Sequence, residues 1–285
     1  MRSPVRLLRE YLTAVQFFTR IPIIGRLAEW VAYSPELLRA SAAHFPGIGW
    51  LVGVVAAVIY GGLCMALPDT PFTTLVAAVL STAATAMLTG GFHEDGLADV
   101  ADGLGGSPDR ERALEIMKDS RVGAFGAMAL VLALASKISL LALLGSIGLE
   151  LSTEGADEAP LVLAGGAGCA ALFVGHVVSR ALPLLLIWAM PHVGDHGGSK
   201  SKPLAASISA GSLFIALLWT AGALALALWW LPAEGLLLAC GLATLTLWWM
   251  KRWFAQRLQG FTGDCLGATQ QVCEIAFYLG LALSL

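Results

Sequence analysis

The sequence predicts an all-α fold: a polytopic integral membrane bundle of about seven transmembrane helices, preceded by an amphipathic helix lying on the membrane surface. Three observations carry that reading. Only 13% of the 285 residues are charged and 57% are hydrophobic, whereas soluble proteins carry about 25% charged residues. The mean hydropathy is +0.76. The apolar residues also fall in runs near the roughly 20 residues that a helix needs to cross a bilayer. This composition excludes an ordinary soluble enzyme, a disordered chain and a disulfide-rich secreted module. The chain reads as a single catalytic domain, 1–285.

Residues 1–40 come first. Arg20 interrupts the apolar run 15–24 and no small-residue cleavage site follows, so this is not a signal peptide. Leu7, Leu8, Tyr11, Leu12, Val15 and Phe18 recur at helical spacing with Arg6, Arg9 and Glu10 elsewhere, as in a surface-lying helix. Apolar runs follow at 46–67, 71–92, 122–148, 160–190, 207–232, 235–250 and 267–285. The fourth is long enough to tilt or break, and Pro183 is placed to kink it. Small-residue stretches such as Gly165-Gly166-Ala167-Gly168 allow close helix approach. Trp229, Trp230, Trp248, Trp249 and Trp253 sit at run ends, as interfacial tryptophans do.

The basic residues alternate along the chain. Arg2, Arg6, Arg9, Arg20, Arg26 and Arg39 precede the first run, and Arg110, Arg112, Lys118 and Arg121 follow the second. Lys200 and Lys202 follow the fourth, and Lys251, Arg252 and Arg257 the sixth. The opposite loops hold Asp69, Glu150, Glu154, Asp157, Glu158 and Glu234 instead. The positive-inside rule then puts the N-terminus and the basic loops in the cytoplasm and the C-terminus outside. The five cysteines form no CxxC pair, and no P-loop, GxGxxG or zinc spacing is present.

The segment 93–121 concentrates the polar chemistry. Asp95, Asp99 and Asp102 are spaced i, i+4, i+7 and fall within about 60° of arc on one helix face. Carboxylates stacked that closely repel unless a cation lies among them. An all-oxygen donor set without thiolates suits a hard divalent cation, Mg²⁺ or Mn²⁺. Lys118 and Arg121 follow and would neutralise phosphate oxygens, the pairing of metal and cations that phosphoryl transfer needs. His93, Glu94 and Asp264 are candidates to accept a proton, Asp264 being equally placed to cap the last helix. Lys137, Arg180 and Glu274 fall inside apolar runs, where charges face partners or a polar cavity. They read either as an internal ion pair, Lys137–Glu274 or Arg180–Glu274, or as ligands of a polyanionic substrate. A secondary transporter using these three is the competing reading, although transporter sites lie near the midplane and the densest charge here is at an edge.

The run Gly91-Phe92-His93-Glu94-Asp95-Gly96-Leu97-Ala98-Asp99 through Asp102-Gly103 resembles the signature of the cobalamin synthase family, the adenosylcobinamide-GDP ribazoletransferases. So do Glu115-Ile116-Met117-Lys118-Asp119-Ser120-Arg121-Val122-Gly123 and Gly263-Asp264-Cys265-Leu266-Gly267-Ala268, while Phe17-Phe18-Thr19-Arg20-Ile21-Pro22 and Phe45-Pro46-Gly47-Ile48-Gly49 fit its N-terminal region. Gly197-Gly198-Ser199-Lys200 departs from the family's Gly-Leu-Gly-Lys. The broader likeness is to CDP-alcohol phosphotransferases, whose Asp-x-x-Asp-Gly-x-x-Ala-Arg pattern is not reproduced after Asp102-Gly103. The resemblance implies a Mg²⁺-dependent enzyme of the bacterial inner membrane, with a cytoplasmic active site. Its substrates would be adenosylcobinamide-GDP and α-ribazole or its 5′-phosphate, with release of GMP and no nucleic-acid partner. A homo-oligomer is compatible with that reading.

Overall fold

The structure, a computed structural model, describes residues 3–153, 165–193 and 207–284. Glu154, Asp157, Glu158, Lys200, Lys202 and the Gly197-Gly198-Ser199-Lys200 loop, all used in the sequence reading, lie outside the described residues. Among the described residues the regular secondary structure is helical, apart from one isolated bridge between His192 and Phe261.

The N-terminal segment forms three short helices: α1 (Pro4–Phe18), α2 (Gly25–Val31) and α3 (Pro35–Ser41). Ser3 and Ser34 cap the first and third by accepting from the amides of Arg6 and Leu37. The apolar face of α1 turns inward as its spacing suggested, with Val15 and Phe18 in the core and Tyr11 and Leu12 packed against it, but its edge differs at two residues. Glu10 is completely buried while Leu8 is half exposed. Arg6 Nε donates to Glu10 Oε1 at 3.0 Å, and His44 Nε2 lies 3.7 Å from Glu10 Oε2. Arg6 one turn back and His44 of the following 3-10 turn are thus the partners of this buried carboxylate.

A 3-10 turn leads into α4 (Phe45–Ala66), followed by α5 (Thr73–Thr89) and α6 (Phe92–Gly106). Gly90 and Gly91 both have positive φ, 73° and 70°, a backbone glycine adopts at little cost. They bend α6 by 90° from α5, so α6 turns across the end of the bundle. A short α7 (Arg110–Ile116) precedes α8 (Ala124–Thr153). Next come α9 (Gly166–Ala181) and α10 (Pro183–Ala189), which meet at the expected break beside Pro183 and together form the most buried span. The last elements are α11 (Ala210–Ala227), α12 (Ala233–Leu258) and α13 (Gly263–Ala282).

Five helical segments are long and apolar enough to cross a membrane, and α5 with α6 makes a sixth if the bent pair counts as one span. The expected count of seven is not reproduced by length and composition. The shortfall is α13, whose Gln270, Gln271 and Glu274 lower its hydropathy, although it runs antiparallel to α12 with Gly280 against Ala239.

Glycines make the closest seams, as membrane helices that associate by dispersion require. A Cβ on Gly49 would stand 2.5 Å from the His176 carbonyl oxygen, and one on Gly53 2.8 Å from that of Phe173, so α4 and α9 touch backbone to backbone. Hydrogen bonds tie the ends of several helices together at one end of the bundle. Arg20 N donates to Leu88 O at 2.7 Å, Arg110 Nε to Leu258 O at 2.7 Å, and Phe261 N to Pro191 O at 3.1 Å. Trp229, Trp230, Trp248 and Trp249 are exposed on the perimeter.

A further seam, α6 against α13, offers a test of this packing. A Cβ on Gly96 would lie 2.8 Å from the Asp264 carbonyl oxygen, whereas one on Gly62 meets nothing within 4 Å. Gly96→Ala is expected to destabilise the protein by about 1–3 kcal/mol. Gly62→Ala should be neutral or slightly stabilising. Thermal unfolding in detergent, comparing the two variants, checks this.

Candidate active site

The double-glycine turn starts α6 with Glu94 and Asp95 in its first turn, where the positive end of the helix dipole favours carboxylates. Asp99 follows one turn on and Asp102 nearly another. The Gly96–Gly267 crossing brings the start of α13 beside this stripe, since a Cβ on Gly267 would lie 3.2 Å from His93 O and 3.4 Å from Gly96 Cα. Asp264 thereby faces the acidic helix. It does not cap α13; Thr262 does, accepting from Cys265 N at 3.4 Å and donating from Oγ1 to Asp264 Oδ2 at 3.3 Å.

The aspartates differ in occupation. Asp102 is buried, and its two oxygens accept from the amides of Gly123 and Gly126 at 2.6 and 2.8 Å. It therefore fixes the start of α8, as a capping residue does for the orphan amides of a first turn. Neither Asp95 nor Asp99 has a cationic partner among the described residues. Half-burial, with Asp264, Asp95 and Asp102 nearby, pushes the Asp99 carboxyl up to about 7. Burial pushes Asp264 up as well. Glu94 is held by Gln271, whose Nε2 donates to Oε1 at 3.1 Å, and its Oε2 is buried without a partner. His93 is buried with its ring against that of Phe92.

Two clefts flank the stripe. One of about 580 Å³ is lined by Gln16, Arg20, Thr89, Gly90, Asp95 and Ala98 among others. The other, of about 440 Å³, is lined by Asp102, Arg112, Glu115, Asp119, Arg121 and Gly123 among others. In the second cleft the expected phosphate ligand Arg121 folds back on Asp119, with Nε 2.9 Å from Oδ1, and holds that carboxyl down to about 2. Both side chains are solvent-accessible, so the pair is of the exposed, weakly held kind. Lys118 is exposed on the same loop.

Inside the bundle, Lys137 and Glu274 meet: Nζ lies 2.6 Å from Oε1, both side chains being fully buried. Of the two internal pairs the sequence allowed, this is the one formed. Tyr278 donates to Glu274 Oε1 at 2.8 Å, and Gln270 Nε2 reaches Oε2. His176 Nδ1 stands 3.5 Å from Glu274 Oε2 and 3.0 Å from Arg180 Nη1. Gln270 also donates to Ser179, and Gln271 to Gln270. A continuous polar thread thus runs from Lys137 to Glu94, with Arg180 joined through His176. His176 and Tyr278 had no sequence signal, because a histidine and a tyrosine in apolar runs look like any others.

The donor set suits a hard cation, being carboxylates with unpartnered oxygens and no thiolate. No group of three His, Cys, Asp or Glu among the described residues converges tightly enough to hold a metal by protein ligands alone. Mg²⁺ keeps waters and is commonly shared between one or two carboxylates and substrate phosphates, so Asp95 and Asp99 are the residues that could hold it.

A membrane bundle that gathers unpaired carboxylates and guanidinium groups around clefts at one end is a membrane-embedded transferase of phosphorylated substrates in its general design. The chain belongs to the cobalamin-5-phosphate synthase family, whose profile matches residues 10–282. It is 68% identical over 277 residues to the adenosylcobinamide-GDP ribazoletransferase of Polaromonas sp. (strain JS666 / ATCC BAA-500), covering 97% of each chain. To the protein of the same name from Polaromonas naphthalenivorans (strain CJ2) it is 66% identical over 99% of this chain and 100% of that one. The likeness extends to Vibrio cholerae serotype O1 (strain ATCC 39541 / Classical Ogawa 395 / O395), at 39% identity over 94% and 91% of the two chains. No solved structure matches it.

The pairing of Lys137 with Glu274 has a measurable consequence. Lys137→Met leaves a buried carboxylate unpaired and is expected to cost about 3–5 kcal/mol, whereas Lys137→Met/Glu274→Gln removes both charges and should recover much of the loss. Unfolding of the two single variants and the double variant in detergent checks the coupling.

Proposed function

We propose that this chain joins adenosylcobinamide-GDP to α-ribazole, or to its 5′-phosphate, with release of GMP. The observation that carries the reading is the full-length likeness to relatives bearing the ribazoletransferase name, together with an acidic helix beside clefts that arginines help to line. A ribose hydroxyl attacks the phosphorus carrying the cobinamide arm, a new P–O bond forms, and the diphosphate bridge breaks so that GMP leaves.

Asp95 and Asp99 are the residues that would hold Mg²⁺, together with the substrate's own phosphate oxygens and with Asp264 close by. When bound, the ion supplies positive charge at the diphosphate oxygens as the leaving phosphate forms. Asp102 keeps α8 and the Lys118–Arg121 loop in register through its two amide bonds. Arg121 exchanges its exposed Asp119 partner for a phosphate oxygen, and Lys118 adds charge on the same loop. Glu94 takes the hydroxyl proton, a role supported by its buried and unpartnered Oε2; His93 and Asp264 are the alternatives. Lys137, Arg180 and Glu274 bear on the substrate indirectly, by holding the Gln270–Gln271 pair that steadies Glu94. The distribution of basic residues supports an inner-membrane protein with the N-terminus and clefts facing the cytoplasm.

Protein purified in lipid and supplied with adenosylcobinamide-GDP, α-ribazole and Mg²⁺ should yield GMP and the joined corrinoid in equal amounts. Removing divalent cations with EDTA should stop turnover and Mg²⁺ should restore it. Asp95→Ala and Asp99→Ala should each lower kcat/KM by roughly a thousandfold or more, as losses of transition-state charge stabilisation do. Among His93→Gln, Glu94→Gln and Asp264→Asn, Glu94→Gln should show the largest proton-transfer loss, about 10²–10⁴-fold. A folded wild-type protein that releases no GMP under these conditions contradicts the proposal.

A further inference from the structure

Arg20 stands two residues beyond the end of α1 and lines the 580 Å³ cleft together with Asp95. Its place is set by the backbone and by aromatic packing. Its amide donates to Leu88 O at 2.7 Å, and the preceding Thr19 is buried, with its hydroxyl on Val15 O at 2.7 Å. The rings of Phe17 and Phe18 each lie 6.0 Å from that of Phe92, the first residue of α6. The end of α1 is thus pinned to the start of the acidic helix. The guanidinium lies over Gly90, where a Cβ would come within 2.7 Å of Cζ and of Nη2.

Three arginines line the two clefts: Arg20, Arg112 and Arg121. Arg112 is paired with Glu115 at 2.9 Å, and Arg121 with Asp119. Among the described residues Arg20 has no carboxylate or carbonyl on its guanidinium. It is a delocalised cation with its fork of donors unspent, held over a glycine, in a cleft that opens onto a carboxylate with no cation of its own. A guanidinium of that kind matches the two non-bridging oxygens of a phosphate, which accept its parallel N–H bonds.

We infer that Arg20 binds the diphosphate of the nucleotide-bearing substrate in the cleft at the Asp95 end of the stripe, Arg121 lining the cleft at the Asp102 end, so that the phosphates are held between the N-terminal segment and the α7–α8 loop. The inference rests on the transferase reading above and adds to it a specific ligand for the phosphate that leaves with guanosine. Sequence reasoning counts Arg20 as a topology-setting charge within a run that fits the family's N-terminal region and gives it no place at the site, because nothing in Phe17-Phe18-Thr19-Arg20-Ile21-Pro22 shows that it meets residues some 70 positions away.

The test compares Arg20→Ala, Arg20→Lys and the wild type in lipid, varying adenosylcobinamide-GDP and α-ribazole separately and using GMP as a product inhibitor. Arg20→Ala should raise the KM for adenosylcobinamide-GDP and the GMP inhibition constant roughly ten- to a hundredfold, the range of a charge-assisted bond. The KM for α-ribazole should stay within about twofold, because the ribose substrate carries no diphosphate. Arg20→Lys should recover only part of the loss, since an ammonium is not a bidentate fork. A second pair of variants addresses position rather than charge. Gly90→Ala and Gly91→Ala carry the same backbone strain, yet only the Cβ at Gly90 meets the guanidinium, that at Gly91 having nothing within 4 Å. Gly90→Ala should therefore reproduce the KM rise and Gly91→Ala should not. Folded Arg20→Ala protein with unchanged KM and GMP inhibition, beside an active wild type, overturns the role of Arg20 alone. A wild type that releases no GMP overturns the transferase reading and the role of Arg20 with it.

Discussion

The site depends on one contact: the crossing of α6 and α13 at Gly96 and Gly267. Two helices approach to backbone distance where glycine takes a side chain out of the contact, and this approach sets Asp264 against a stripe already carrying Asp95, Asp99 and Asp102. Bringing carboxylates together in a half-buried place costs free energy through repulsion and lost hydration. The raised Asp99 carboxyl reports that cost. A protein tolerates it where a cation or a charged substrate recovers it on binding. The glycines therefore serve the chemistry as much as the packing.

Behind the crossing, buried polar groups hold the rest in register. Glu274 gathers Lys137, Tyr278, Gln270 and His176 within the bundle, and Gln270 and Gln271 carry the connection to Glu94. An ion pair so deep in an apolar region adds little net stability by itself, but losing one partner strands the other charge. Through Glu274 the pair links α8, α9 and α13. Asp102 makes a link from the edge, because its two amide bonds orient α8 and the loop that bears Lys118 and Arg121.

Much of this was legible in the sequence because membranes impose strong rules. Apolar runs marked each long helix, Pro183 marked the break between α9 and α10, and the i, i+4, i+7 spacing placed three aspartates on one face of α6. The misses have a common origin in contacts between distant segments. Glu10 is buried against His44, Thr262 and not Asp264 caps the last helix, and Asp102 accepts from amides across the α7 loop. The Glu94–Gln271 bond joins residues 177 positions apart, which no local periodicity encodes. The count of seven spans met its limit at α13, where the polar residues that serve the internal network also lower the hydropathy by which a span is recognised.

Mn²⁺ binding followed by electron paramagnetic resonance, in the presence of GDP as a diphosphate, tests most directly whether the α6–α13 crossing assembles the cation site. Gly267→Leu keeps every carboxylate in the chain but forces a side chain against His93 O and Gly96. The account predicts that Gly267→Leu weakens Mn²⁺ binding at least tenfold, as Asp99→Ala does, in protein that remains folded. Wild-type Mn²⁺ affinity in folded Gly267→Leu protein would contradict it.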